Sequence, residues 1–184
     1  LLELAVVMAI LALTLTFVLP SLGDMVATHR VRAARDALRG ALQRAHFEAL
    51  RHKVRVVVCK SASGLSCAAQ DEWHQGWIIF HDRNNTGQLD AGESVLYQEP
   101  ALPAVVRINS VGSGGGKINY VSFVMHGGSR GVSSPPSDLG GALQMGHFDV
   151  CAVGLTPISG SQIVLRQTGH TRLETSKPQQ CSGL

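Results

Sequence analysis

The spacing of apolar side chains changes twice along the 184 residues. From Leu1 to Pro20, "LLELAVVMAILALTLTFVLP", nearly every position is apolar and only Glu3 is charged. From Met25 to Lys53 the apolar residues thin to a stripe. Val31, Ala34, Leu38, Ala41, Leu42, Ala45 and Ala49 recur at three- and four-residue steps, which is one face of an amphipathic helix. Arg32, Arg35 and Arg39 lie on another face. Gly40 inside this stretch costs about 1 kcal/mol against Ala, too little to end so strongly patterned a helix. Pro20 and Gly23 predict a kink or local melting between the two halves. A helix of ~50 residues would be about 75 Å long. No compact domain of this size needs that length, whereas a filament or a membrane anchor does.

Beyond Lys53 the helical period disappears. "VRVVVCK", "GWIIFHD", "SVLYQE", "AVVRINS", "KINYVSFVM", "HFDVCAVG" and "SQIVLRQ" are short runs rich in β-branched and aromatic residues, and they read as strands. "GSGGGK" (112–117) and "GGSRGVSSPPSDLGG" (127–141) read as flexible loops. No helix-length pattern interrupts the strands, so the sheet is expected to be antiparallel and the fold class α+β. The expected organisation is an apolar helical half at 1–24, an amphipathic half at 25–53 and a β domain at 54–184.

Charge narrows the partners. Residues 26–53 carry seven Arg or Lys against Asp36 and Glu48, while residues 54–184 carry nine of each sign. The basic excess is local, so the β domain is not a general nucleic-acid surface. None of the four cysteines forms a C-x-x-C pair, which disfavours a zinc ribbon or a redox motif. After an apolar leader-like segment, disulfides in an oxidising compartment fit. Of the three possible pairings, the expected one is Cys59–Cys67, closing a short loop with Gly64, and Cys151–Cys181, holding the tail. Glu3 is the anomaly of the opening run: one acidic residue at a bilayer centre costs roughly 2.5–3.5 kcal/mol, and such a charge calls for a partner. An ordinary signal peptide fits poorly, because there is no basic n-region and no A-x-A-like site.

These residues carry a resemblance. "LLELAVVMAILALTL…P" resembles the start of a mature type IV pilin or pseudopilin. "ALRGALQRAHFEALRHKVRVVVC", "W…GWIIFHDRNNTGQLDAGESVL" and "VSFVMHGGSRG" resemble the GspH/FimT family of minor pilins of type IV pili and minor pseudopilins of type II secretion. The match runs from Leu1 to about Arg172. It implies a pilin-like fold, with a long N-terminal helix packed on an antiparallel β domain. It also implies a structural, non-enzymatic subunit that helps initiate or cap a pilus, with other pilin or pseudopilin subunits as partners. The helix would sit in the bacterial inner membrane as a single pass, with the β domain in the periplasm, before entry into the fibre. A leader and two residues, the first an N-methylated aromatic, are expected before Leu1. Glu3 would face the N-terminal ammonium of a neighbouring subunit, where a paired charge costs far less than an orphan.

Some transformation-associated members of the family carry a G-R-x-R motif that contacts DNA. The corresponding place here is Gly169, His170, Thr171 and Arg172, with His170 in place of an Arg. Arg166 and Lys177 would add charge and Glu174 oppose it, which predicts weak, salt-sensitive contact with double-stranded DNA. "DRNNTGQLDAGE" (82–93) has the offsets of an EF-hand loop, with Asp82, Asn84, Asp90 and Glu93 as candidate Ca²⁺ ligands. Its flanks read as strands and Thr86 is a weak ligand, so a polar hairpin turn is the better reading. "GGSRG" matches G-x-S-x-G, but "VSSPPSDLGG" cannot start the helix that a nucleophile elbow needs. "GSGGGK" lacks the first Gly and the Ser/Thr of a P-loop, and the eight histidines show no H-E-x-x-H spacing. No cofactor is expected. Trp77 is expected in the core and Trp73 as a partly covered hairpin residue.

Overall fold

The protein was analysed as a computed structural model. The description covers residues 2–138, 140–153 and 160–175, and leaves out the side chains of residues 11, 13–22 and 175. Helix α1 spans Leu2–His52 without a break. The local melting expected at Pro20 and Gly23 does not occur. The helix stops where Lys53 turns into the left-handed region at φ 54°. Among the described side chains of α1, Ala27 is the first that is buried, followed by Val31, Ala34, Leu38, Ala41, Leu42, Ala45 and Ala49. That is the stripe expected from the spacing. Of the three arginines on the other face, Arg32 is exposed, while Arg35 and Arg39 are half-buried against the β domain.

Eight strands form two antiparallel sheets. β1 (Arg55–Lys60), β2 (Trp77–Asp82), β3 (Val95–Glu99) and β5 (Tyr120–Phe123) make the first, in the order β3-β2-β1-β5. β4 (Val106–Gly112), β6 (Gly146–Ala152), β7 (Gly160–Leu165) and β8 (Thr171–Thr175) make the second, in the order β4-β6-β7-β8. The buried stripe of α1 lies against both, with Val56, Val58 and Ile79 from one sheet and Ile108, Phe148, Val150 and Ile163 from the other in a single core. The outer face of the first sheet is covered too. Val57, Cys59, Ile78 and Phe80 form a second cluster there, with Cys67, Leu89 and Tyr120 against it. Being covered on both faces, β1 is apolar at four consecutive positions rather than alternating.

Seven of these strands were expected; β8 was not. "TRLET" has one apolar residue, and strand periodicity has little to act on there. The pairing Ile163↔Leu173 turns Leu173 inward against the core and leaves Arg172 and Glu174 on the outer side. The Cys59–Cys67 disulfide is present. Closing so short a loop stabilises the fold by about 2–3 kcal/mol in the chain-entropy picture. Cys151 is also disulfide-bonded, and Cys181 lies outside the described residues.

Trp73 departs from expectation. It is as fully buried as Trp77, on a short 3-10 turn (Trp73–Gln75) before β2. Its ring meets Phe148 of the second sheet edge-to-face at 5.1 Å, and its Nε1–H donates to Ile118 O at 2.7 Å. Trp73 is therefore a rivet between the sheets, and neither tryptophan is placed to stack on a base. Trp73→Ala should destabilise the protein by about 3–5 kcal/mol in urea unfolding, as expected for emptying an aromatic-sized site; a loss below 1 kcal/mol would contradict this packing.

The helix also carries a half-buried imidazole. His46 lies between Phe123 and His170, with ring centroids at 5.5 and 5.2 Å. Burial first, and the neighbouring His170 second, hold its pKa below 6.5. His74 is lowered by burial and by Arg107. A lowered histidine means that the unfolded chain binds more protons than the folded one between the two pKa values. Stability therefore rises with pH in that window and is lost as pH falls below 6.5. Asp82, raised by burial, acts in the opposite sense. The urea midpoint should drop between pH 7 and pH 5, and His46→Gln should make that drop smaller. An unchanged pH profile in His46→Gln would remove His46 from this account.

Candidate functional site

Among the described residues, two of the places named from the sequence present exposed groups that the packing does not use. The first is the start of α1. Leu2, Leu4, Val6, Val7, Met8 and Ile10 are all exposed, and so is Glu3. Nothing among the described residues of the β domain covers them. Among the described residues no helix is long and apolar enough to cross a membrane.

The second is the β7–β8 hairpin. Arg166 N donates to His170 O at 3.0 Å, and Gly169 N donates to Arg166 O at 2.9 Å, which closes a three-residue loop. Gly169 sits at φ 79°, as such a loop requires. A Cβ there would meet Gly127 O at 2.1 Å, and one on Gly127 would meet His46 Nε2 at 2.6 Å. The two glycines thus let the hairpin and the Gly127 turn close over His46. Ser129 N donates to Gln167 O at 2.9 Å and ties the tip down further.

This geometry exposes Arg166, His170 and Arg172 together. Gly169 is buried and serves the turn. His170 packs edge-on against His46. Arg172 Nε lies 3.4 Å from Glu174 Oε1, so an acidic neighbour offsets part of its charge. Arg166 borders an open, mostly apolar groove of about 700 Å³ that includes Val111, Met145, His147 and Val164. Lys177, the remaining cation of the sequence-based candidate, lies outside the described residues.

The EF-hand-like loop uses its oxygens internally. Buried Asp82 accepts from Thr86 N and Gly87 N, both at 2.9 Å. Glu93 accepts from Arg83 N at 2.8 Å and Asp90 N at 3.2 Å. Asn84 Nδ2 donates to Asp90 Oδ2 at 2.9 Å, and the Thr86 hydroxyl donates to the same oxygen. The carboxylates do not converge on one point. A Ca²⁺ ion would have to displace these bonds, so the arrangement is that of a self-satisfied turn. Ser129 of the G-x-S-x-G match is fully buried beside β5 and exposes no nucleophile.

Sequence reasoning passed over Arg55, which organises this side of the molecule. It is 3 % exposed at the start of β1. Its Nε donates to Asn85 Oδ1 at 3.0 Å, and Nη1 donates to Ser122 Oγ, Arg130 O and Gly131 O at 2.9–3.1 Å. Nη2 donates to Ser137 O and Gly140 O at 3.0 and 3.1 Å. One guanidinium thereby joins the polar hairpin to the Gly-Ser-Pro loop, which is clamped by it. The only local signal was a charge opening an otherwise apolar strand.

The fold is similar to that of two crystal structures of the Pseudomonas aeruginosa (strain PAO1) type IV minor pilin FimU. In space group P21 the likeness has a TM-score of 0.52 at 18 % identity, over 82 % of this chain and 91 % of that one. In space group P65 it has a TM-score of 0.51 at 19 % identity, over 78 % and 91 %. No curated protein sequence matches the chain. Residues 34–169, most of its length, match the model of the family described as type II transport protein GspH. With its amphipathic helix laid across two antiparallel sheets and that family pattern running from the helix to the β7–β8 turn, the chain belongs to the GspH family of pilin-like subunits.

Proposed function

We propose that this chain is a minor subunit that helps initiate or cap assembly of a type IV pilus. Residues 1–24 act as the membrane and fibre-core half of the helix, residues 25–53 as the half that carries the β domain, and residues 54–184 as the periplasmic domain. The observation that carries the reading is the uncovered apolar start of α1. Six exposed aliphatic side chains lie within its first nine residues. Burying each large aliphatic side chain is worth about 1.5–3 kcal/mol, so this end is strongly driven toward lipid or toward the helices of other subunits. In a single pass through the inner membrane, Glu3 would lie near the surface. In the fibre it would meet the N-terminal ammonium of a neighbouring subunit and set the axial register. A wrong register would leave both charges buried without partners, at a cost of several kcal/mol.

Glu3→Ala should leave the β domain folded, with an unchanged unfolding midpoint, and should remove the subunit from sheared fibres. Wild-type amounts of the variant in those fibres would refute the register role of Glu3.

A second reading, a pilus-mounted receptor for double-stranded DNA, is favoured by the joint exposure of Arg166, His170 and Arg172 at one hairpin. Each phosphate contact contributes about −0.9 to the log–log salt slope on B-DNA, so three cations imply a slope no steeper than about −3. The full chain in detergent should bind duplex DNA at low salt without sequence preference. Arg172→Ala should weaken that binding and His170→Arg strengthen it. No gel shift at low salt and pH 6, or Arg172→Ala binding like wild type, removes this reading and leaves the structural one.

A further inference from the structure

We propose that Glu48, His52 and His81 form a binding site for a divalent transition-metal ion of the zinc class, joining the last turns of α1 to β2. Glu48 and His52 stand four residues apart on α1, so they share one face of the helix. Their ligating atoms, Oε2 and Nε2, are 3.1 Å apart. His81 comes from the neighbouring strand β2 and brings its Nε2 to 4.0 Å from the same Glu48 oxygen. The two imidazole rings lie with centroids 5.1 Å apart and planes tilted by 55°. All three ligating atoms lie within 4.8 Å of one another, and no other group of three His, Cys, Asp or Glu side chains among the described residues converges in this way.

A helix-surface Glu–His pair alone is commonplace. The second observation comes from His81. Its Nε2 is buried and makes no hydrogen bond among the described residues, although its side chain is turned toward Glu48 and His52. A buried polar nitrogen left without a hydrogen bond is costly. A metal bond is the interaction that would satisfy it. Zinc bonds of about 2.0–2.2 Å to nitrogen and oxygen place tetrahedral ligands roughly 3.3–3.5 Å apart. The observed 3.1 and 4.0 Å bracket that distance, so small rotations of the half-buried Glu48 and the exposed His52 complete the set. Two imidazoles and one carboxylate suit zinc, nickel or copper rather than calcium or magnesium. His52 is 46 % exposed, which leaves a path for the ion and room for a water as fourth ligand. Arg83 and Glu93 also face His81, and their charges offset one another.

The probe is Zn²⁺ itself, added to the untagged full chain in detergent and read by competition with a chromogenic chelator. One equivalent should bind, and Ca²⁺ and Mg²⁺ in excess should not displace it. His52→Ala and Glu48→Gln, both at solvent-accessible positions, should each weaken binding at least tenfold, while His29→Ala, on the exposed face of α1, should not. Co²⁺ in place of zinc should give visible ligand-field absorption that disappears in His52→Ala. No stoichiometric binding, or binding that survives His52→Ala or Glu48→Gln unchanged, overturns the assignment.

Discussion

The two sheets exchange no hydrogen-bonded strand, so the fold depends on what lies between them. That is the buried stripe of α1. Ala27, Ala34, Ala41, Ala45 and Ala49 keep the helix axis close to both sheets, while Val31, Leu38 and Leu42 fill the deeper spaces. Interiors pack near crystal density, and added methylene groups are felt at once. The stripe therefore sets how far apart the sheets stand and at what height along α1 they sit. Residues 2–10 and 23–26 of α1 are left exposed.

Within the domain, several buried polar groups are held by dense hydrogen bonding. Arg55 is the main case. A guanidinium drawn from water costs several kcal/mol unless its donors are met, and here two loops supply the acceptors. Without that ion those carbonyls would lose the donor that joins the two loops. The polar 82–93 hairpin follows the same rule, its carboxylates accepting backbone N–H groups that the turn would otherwise leave unpaired. The carboxylates of this hairpin are thereby engaged within the turn. Surfaces that remain available for contact are the ones at the margins: the apolar start of the helix, the tip of the β7–β8 hairpin and the end of α1 beside β2.

Those margins share one element. α1 carries Glu3 at one end, His46 beneath the hairpin and Glu48 with His52 near its C-terminus. The exposed start and the buried stripe belong to a single unbroken helix. For a subunit of a fibre this arrangement couples assembly contacts to the domain without a hinge. The hairpin is held against that same helix by its contact through His46, which two glycines make possible. Its tip is tied down by backbone hydrogen bonds, and Arg166, His170 and Arg172 are exposed on it together.

The sequence by itself determined the long helix, its buried stripe, seven of the eight strands, the Cys59–Cys67 pairing and the family. Each of these is written locally, in a period of 3.6 or in β-branched runs, or in residues close together in the chain. The tertiary structure alone decided the rest. β8 is polar and becomes a strand only because β7 offers it an edge. Trp73 looks like a hairpin residue until the second sheet brings Phe148 against it. Arg55 reads as one charge in a strand, and its role exists only once residues up to 85 positions away fold back over it. His81 and the Glu48–His52 pair, about thirty residues apart, meet only because β2 packs beside the end of α1. Periodicity reports which face of an element is buried; it carries no information about which distant groups will share that face, because that is set by how the elements pack.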